Sequence, residues 1–168
     1  MSAFVLTTRG RAVMAQTLST LPFVFAVSAG DPEWDAEWGE PNPPVPPLAS
    51  LDVLDLIGYA RPSIVGFVAE DADGVIVTEE GTAWSTSATR TRNLRLRLSI
   101  PAGAWSDQTI REIGIYANPV FSEGIAPGKT ILDFADVVDA GDLMHVSWLR
   151  PQFLSPGTSL IRDFILRV

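Results

Sequence analysis

Catalytic chemistry has few places to reside in this chain. Its single histidine is His145, in the apolar stretch "LMHVSWL", and it has no cysteine. Disulfides, thiolate metal sites and cysteine nucleophiles are therefore excluded. A serine–histidine–aspartate triad or an imidazole metal site would depend on that one histidine. Set in an apolar strand, His145 reads as a packed residue rather than a base or ligand. Carboxylates are plentiful, with Asp31, Glu33, Asp35 and Glu37 among 20 acidic residues. A glycoside hydrolase needs only two, at a fixed separation, so abundance on this scale selects no pair. Neither a glycine-rich phosphate loop opening a helix nor a Gly-x-Ser-x-Gly elbow occurs. "EDADG" resembles the start of a calcium loop, but no bidentate glutamate follows at the required distance. The residues point to no enzyme, no cofactor and no metal.

Residues suited to protein contacts are easier to find. Eleven arginines stand against one lysine, Lys129. The planar guanidinium fork suits interface ion pairs, although compositional bias alone produces the same ratio. "NLRLRLSI" alternates with Leu94, Leu96, Leu98 and Ile100 inward and Arg95 and Arg97 outward, and Arg90 and Arg92 continue the basic row. That row is either a solvated strand face or a line of guanidiniums meeting acidic residues such as those of Glu33 to Glu40, in the same chain or a neighbouring one. Trp34 and Trp38 sit at i and i+4, where they either anchor the loop to its own domain or become hot spots on a neighbour. "IREIGIYAN" sets Arg111 beside Glu112, and neighbours on a strand point to opposite faces. One of the two charges must meet a polar niche or another subunit. Arg9, Arg11 or a helix N-terminus is the expected partner of Glu112. Gly114 removes a side chain where another backbone, a helix or a partner chain approaches.

These residues need elements to hold them. Thr7 to Ser19 is the one good helix candidate, capped by threonine, with Val13, Met14, Thr17 and Leu18 as its apolar stripe. "PFVFAVSAGD" is apolar on both faces and reads as a central strand. Asp31 to Pro47 carries the two tryptophans and a run of prolines, so the expectation is an extended loop or arm. Leu48, Leu51, Leu54 and Ile57 fall at helical spacing, which favours a short helix ended by Gly58. From Ser63 onward come eight short segments rich in β-branched and aromatic residues, divided by turn signals such as "PAG", "APG", "DAGD" and "SPG". "EDADG" reads as a tight hairpin turn between two of them. The fold class expected is α+β and mainly β: an N-terminal helix packed on an antiparallel β-sandwich or barrel-like domain, over residues 1–168.

Composition limits the setting. The chain has 168 residues, 46% hydrophobic and 19% charged, enough for one domain with a real core and unlike a disordered protein. No apolar run approaches the roughly 18 residues that span a bilayer, and the N-terminus lacks the layout of a signal peptide. A net charge of −8 disfavours nucleic acid as a partner.

Read in order, three stretches resemble one family. "TTRGRAVMAQ" leading to "AVSAGD", then "LRLRLSIPAGAWSDQTIREIGIYANP", then "SPGTSLIRDFILRV" are similar to the helix, the "REIG-aromatic" strand and the closing strand of bacteriophage tail-fibre N-terminal domains. That resemblance implies a virion protein assembled in the host cytoplasm, attached to the baseplate and surrounded by other tail and fibre proteins. It also implies a homo-oligomeric arrangement of three- or six-fold order. The chain ends directly after the closing strand with no shaft, so the expectation is an adaptor or baseplate part that joins fibres rather than a receptor-binding fibre. The interface residues expected are Trp34, Trp38, Arg90, Arg92, Arg95, Arg97, Arg111 and Glu112. The alternative is a small carbohydrate-binding module that uses Trp34, Trp38, Trp84, Trp105 or Trp148 as stacking platforms. An acidic hydrolase is the third reading.

Overall fold

A computed structural model describes residues 5–39, 45–47, 52–78 and 81–168. It is mainly β with a short N-terminal helix and antiparallel sheets, as the sequence predicts. In chain order the elements begin with α1 (Thr8–Leu18), β1 (Phe23–Ser28), a 3-10 helix (Pro32–Gly39), β2 (Leu56–Ala60) and β3 (Ile64–Glu70). Next come β4 (Ile76–Val77), β5 (Ala83–Thr86), β6 (Asn93–Ile100), β7 (Gln108–Ala117) and β8 (Val120–Phe121). The last are β9 (Ile131–Leu132), β10 (Val137–Asp139), β11 (Asp142–Leu154) and β12 (Leu160–Arg167). Among the described residues no helix is long and apolar enough to cross a membrane.

The chain forms two compact units. One contains α1 with Ser63–Leu98 and Arg162–Val168, and the other contains Pro22–Pro62 with Ser99–Ile161. The first is built on a sheet of order β12-β6-β3-β5-β4. Its α1 starts at the expected cap, where the Thr7 hydroxyl accepts the Gly10 amide at 3.1 Å. The buried face of α1 is not the expected one, however. Ala12 and Ala15 are buried, while Val13 and Met14 are exposed. Small side chains let the helix backbone lie close, which hydropathy spacing does not reveal. Trp84, Val68 and Ile76 form an apolar cluster, with Ile165 against it. Asp71 to Gly74 makes a turn closed by the Gly74 amide on the Asp71 carbonyl at 2.9 Å. The hairpin expected there is corrected, because β5 lies between β3 and β4 and pairs with both.

The second unit is built on β11-β7-β1-β2-β9, with a two-stranded β10-β8 pair beside it in sequence. Strand β1 is buried along its whole length and lies between β7 and β2, as its two apolar faces predict. The helix expected around Leu54 and Ile57 is instead strand β2, which pairs with β1 from Phe25↔Ala60 to Ser28↔Leu56. A strand offered a full ladder by β1 outweighs a weak local helical pattern; Leu48 and Leu51 lie outside the described residues. The Asp31–Pro47 loop also needs correction, since Pro32 to Gly39 forms a 3-10 helix. Its acidic residues Glu33 and Asp35 fall in the first turn, where they complement the helix dipole.

Two features of this unit position β7. Strand β11 shifts register between Trp148 and Gln152, so Pro151 sits where a missing N–H costs no ladder bond. Gly114 is opposite Ala26 on one side and Val146 on the other. A Cβ there would come within 2.7 Å of Val53 Cγ1 and 2.8 Å of the Tyr116 ring. The close approach expected at Gly114 is thus made by side chains rather than by another backbone. Gly114→Ala should lower stability by about 1–3 kcal/mol through overpacking, read as a fall in denaturation midpoint with an unchanged slope.

Candidate functional site

Strand β7 fastens the segment between β1 and β2 at both ends. At its start, Arg111 Nε and Nη2 donate to the two carboxylate oxygens of Asp35 at 2.7 and 2.9 Å, and Nη1 donates to the Ala29 carbonyl at 3.2 Å. Trp34 lies next to that ion pair and stacks on Trp148, with ring centroids 4.0 Å apart and planes 20° apart. The Trp148 indole N–H donates in turn to Glu112 Oε1 at 2.9 Å. Glu112 Oε2 accepts the Leu54 amide at 2.6 Å, and the Leu54 carbonyl accepts from the Ser28 hydroxyl. Further along β7, the Tyr116 hydroxyl donates to Asp52 at 2.6 Å. Gly30 makes the entry possible: it sits at φ +60°, and a Cβ would collide with the Trp34 ring at 2.6 Å.

The electrostatics follow from these bonds. The Arg111 fork holds the Asp35 carboxyl below its ordinary value, and Asp35 raises Arg111 in return. Burial, with the Asp52 hydrogen bond and charge added, pushes the Tyr116 phenol well above its ordinary value. Glu112 is 3% exposed, so one of the neighbouring charges of "IREIG" does occupy an internal polar niche. Its partners are the Leu54 amide and the Trp148 indole, which corrects the expectation of Arg9, Arg11 or a helix N-terminus.

A second ion cluster lies in the first unit. Arg95 and Arg97 of β6 both fork onto Asp163 of the adjacent β12: Arg95 Nε at 2.7 Å, Arg97 Nη2 at 2.8 Å. Arg95 is only 7% exposed, which corrects its outward placement. The face of β6 that carries the arginines is closed at Arg95 but partly open at Arg97, and Asp163 supplies the charge that makes the burial of Arg95 tolerable. Burial pushes Asp163 up, but the hydrogen bonds and charges of Arg97 and Arg95 outweigh it and leave the carboxyl below its ordinary value. Arg90 and Arg92 are exposed; Arg90 donates to Gln16 at 2.7 Å.

The remaining candidates separate in the same way. Trp84 is fully buried under the Arg167 guanidinium, 5.1 Å from its ring. Trp105 lies against Gly58, where a Cβ would meet its ring at 2.8 Å. Trp38 is half-buried, and its indole nitrogen is buried without a hydrogen-bond partner. His145 is exposed rather than packed, its Nε2 hydrogen-bonded to Ser147 at 2.8 Å. Among the described residues no group of three or more histidine or carboxylate side chains is arranged to hold a metal ion. Of the eight residues expected at interfaces, six have partners within the chain: Trp34, Arg90, Arg95, Arg97, Arg111 and Glu112.

A family model for a baseplate wedge 3 tail fibre network component matches residues 3–168. The chain belongs to this family. No curated protein matches it. The baseplate wedge and tail fibre network assignment agrees with the tail-fibre resemblance of the helix, the "REIG" strand and the closing strand, and it covers all of the elements described above. As a member of a baseplate wedge family, the chain is a structural component of a phage tail.

Proposed function

We propose that this chain is an adaptor: it joins tail fibres to the baseplate, or to one another, through protein–protein interfaces and carries out no reaction of its own. The observation that carries this reading is the family match over residues 3–168. The geometry supports it. Charged and aromatic side chains that could act on a ligand are largely used to brace the fold, as with Arg111–Asp35, Trp34–Trp148 and Arg95–Asp163–Arg97. Rigid bracing is what a part that transmits force between rods requires. Trp38, Arg90 and Arg92 keep exposed surface and are the expected interface residues we assign to contacts with neighbours. The chain assembles on the tail in the host cytoplasm as one of several identical copies.

The carbohydrate-binding alternative is not favoured. A stacking platform presents an open ring face, but Trp84 is enclosed, Trp34 and Trp148 cover each other, and Trp105 is fitted against Gly58. The adaptor reading is tested on purified tails. Mass spectrometry should find the chain in tail particles, and electron cryo-microscopy should place it where fibres meet the baseplate. A chain missing from intact tails, or located only at fibre tips, would overturn it.

A further inference from the structure

The first unit carries an open groove of about 700 Å³ lined by Arg9, Arg90 and Arg92, with Ala12 and Ala69 in its wall and one acid, Glu70. Among the described residues, none of these three arginines has a carboxylate within ion-pair distance, whereas Arg95, Arg97 and Arg111 are all paired. Arg9 is also placed against local stability. It sits in the first turn of α1, which holds no acidic residue, so its charge faces the positive end of the helix dipole. A chain of net charge −8 therefore concentrates unneutralised positive charge in one groove.

A complementary element exists in the same sequence. The 3-10 helix Pro32–Gly39 is pinned through Trp34 and Asp35, which leaves Glu33 and Glu37 exposed. Neither has a basic partner among the described residues. Trp38 beside them is half-buried. The balance is close: three arginines less Glu70 on one side, two glutamates on the other.

We infer that the groove of one copy receives the acidic 3-10 helix of a second copy, so that chains join head to tail. The two surfaces differ, so the contact is heterologous, and such a contact closes into a ring when its rotation permits. This inference rests on the adaptor reading, because it supplies the self-contact by which copies would surround a tail. Charge pairs at a partly solvated groove are screened by salt, which gives the contact a recognisable signature.

The test is sedimentation velocity of the full chain over a range of concentration and salt. Wild type should self-associate, and more weakly as salt rises. Arg90→Glu with Arg92→Glu should weaken association by about tenfold or more, because like charges would then face each other. Glu33→Arg with Glu37→Arg should do the same, and a chain carrying all four changes should associate again. All four positions are exposed, and unchanged circular dichroism would show that the fold is kept. A chain that stays monomeric, or reversals with no effect, overturns the inference. If wild type is monomeric but the arginine reversals abolish incorporation into tails, the groove takes an acidic segment of a different tail protein, and the second-copy assignment fails while the adaptor reading stands. Absence of wild type from tails would sink the adaptor reading instead.

Discussion

Glu112→Ala should lower the unfolding free energy by roughly 2–4 kcal/mol, because it strips two part-buried N–H groups of their acceptor at once. The Leu54 amide at 2.6 Å and the Trp148 indole at 2.9 Å both end on this carboxylate, which is 3% exposed. Each donor left unsatisfied in a buried site costs about 1–3 kcal/mol. The loss would also spread, since Trp148 holds Trp34 by stacking, and Trp34 holds the start of the 3-10 helix. Glu112→Gln is the informative control. The amide keeps one acceptor oxygen but turns two N–H donors toward a site that already contains donors, so a loss of about 1–3 kcal/mol is expected. Chemical denaturation monitored by tryptophan fluorescence measures both. Two variants equal to wild type within about 0.5 kcal/mol would mean that water replaces the carboxylate and that the niche is not closed.

What the sequence disclosed and what it hid divide along the range of the interactions. Strand β6 spans the segment its alternation predicts, Asn93 to Ile100, and α1 begins after the threonine expected to cap it. Both are set by neighbours a few residues apart. The turns at "APG" and "SPG" are likewise local, closed by the Lys129 amide on Ala126 and the Thr158 amide on Ser155. The failures occur where a distant strand decides. Leu54 and Ile57 keep helical spacing, but β1 supplies a ladder to Leu56–Ala60 and the strand prevails. Strand β11 runs five residues past the expected "LMHVSWL", because a register shift absorbs Pro151, and a lone proline in sequence signals an end rather than a bulge.

The candidate site shows the same division. Spacing told which face of a strand a charge takes, and it therefore required a niche for Arg111 or Glu112. It could not name the occupant, since Leu54 is 58 residues from Glu112 and Trp148 is 36 away. For β6 it failed more fully. Alternation placed Arg95 outward, and only the adjacent strand β12 supplies the aspartate that pairs with it. A run "LIRDFILR" does contain the clue: an aspartate inside a closing apolar strand demands a buried cation, and two arginines two residues apart on an alternating strand can both reach it.

That aspartate carries the second large effect. Asp163→Ala should destabilise the first unit by about 3–5 kcal/mol, because it leaves the Arg95 guanidinium buried and unpaired. The loss should exceed that of Arg97→Ala, since the Arg97 side chain is 31% exposed and its removal leaves Asp163 still forked by Arg95. The pH dependence has a definite sign. With its folded value below the ordinary carboxylate range, Asp163 binds fewer protons folded than unfolded, so its contribution is present above roughly pH 4 and is lost as pH falls through the folded value. Wild type should therefore lose stability on acidification in a step that Asp163→Asn lacks. A double change separates charge from packing: Asp163→Leu with Arg95→Met replaces the two buried partners with apolar volume, leaves only the 31% exposed Arg97 without its carboxylate, and should recover much of the loss. If the double variant is as unstable as Asp163→Ala, the position is demanding in shape rather than in charge. If it approaches wild type, the ion cluster owes its place in β6 and β12 to something other than stability, such as fixing the register between those strands or keeping the β12 edge from pairing with the wrong chain.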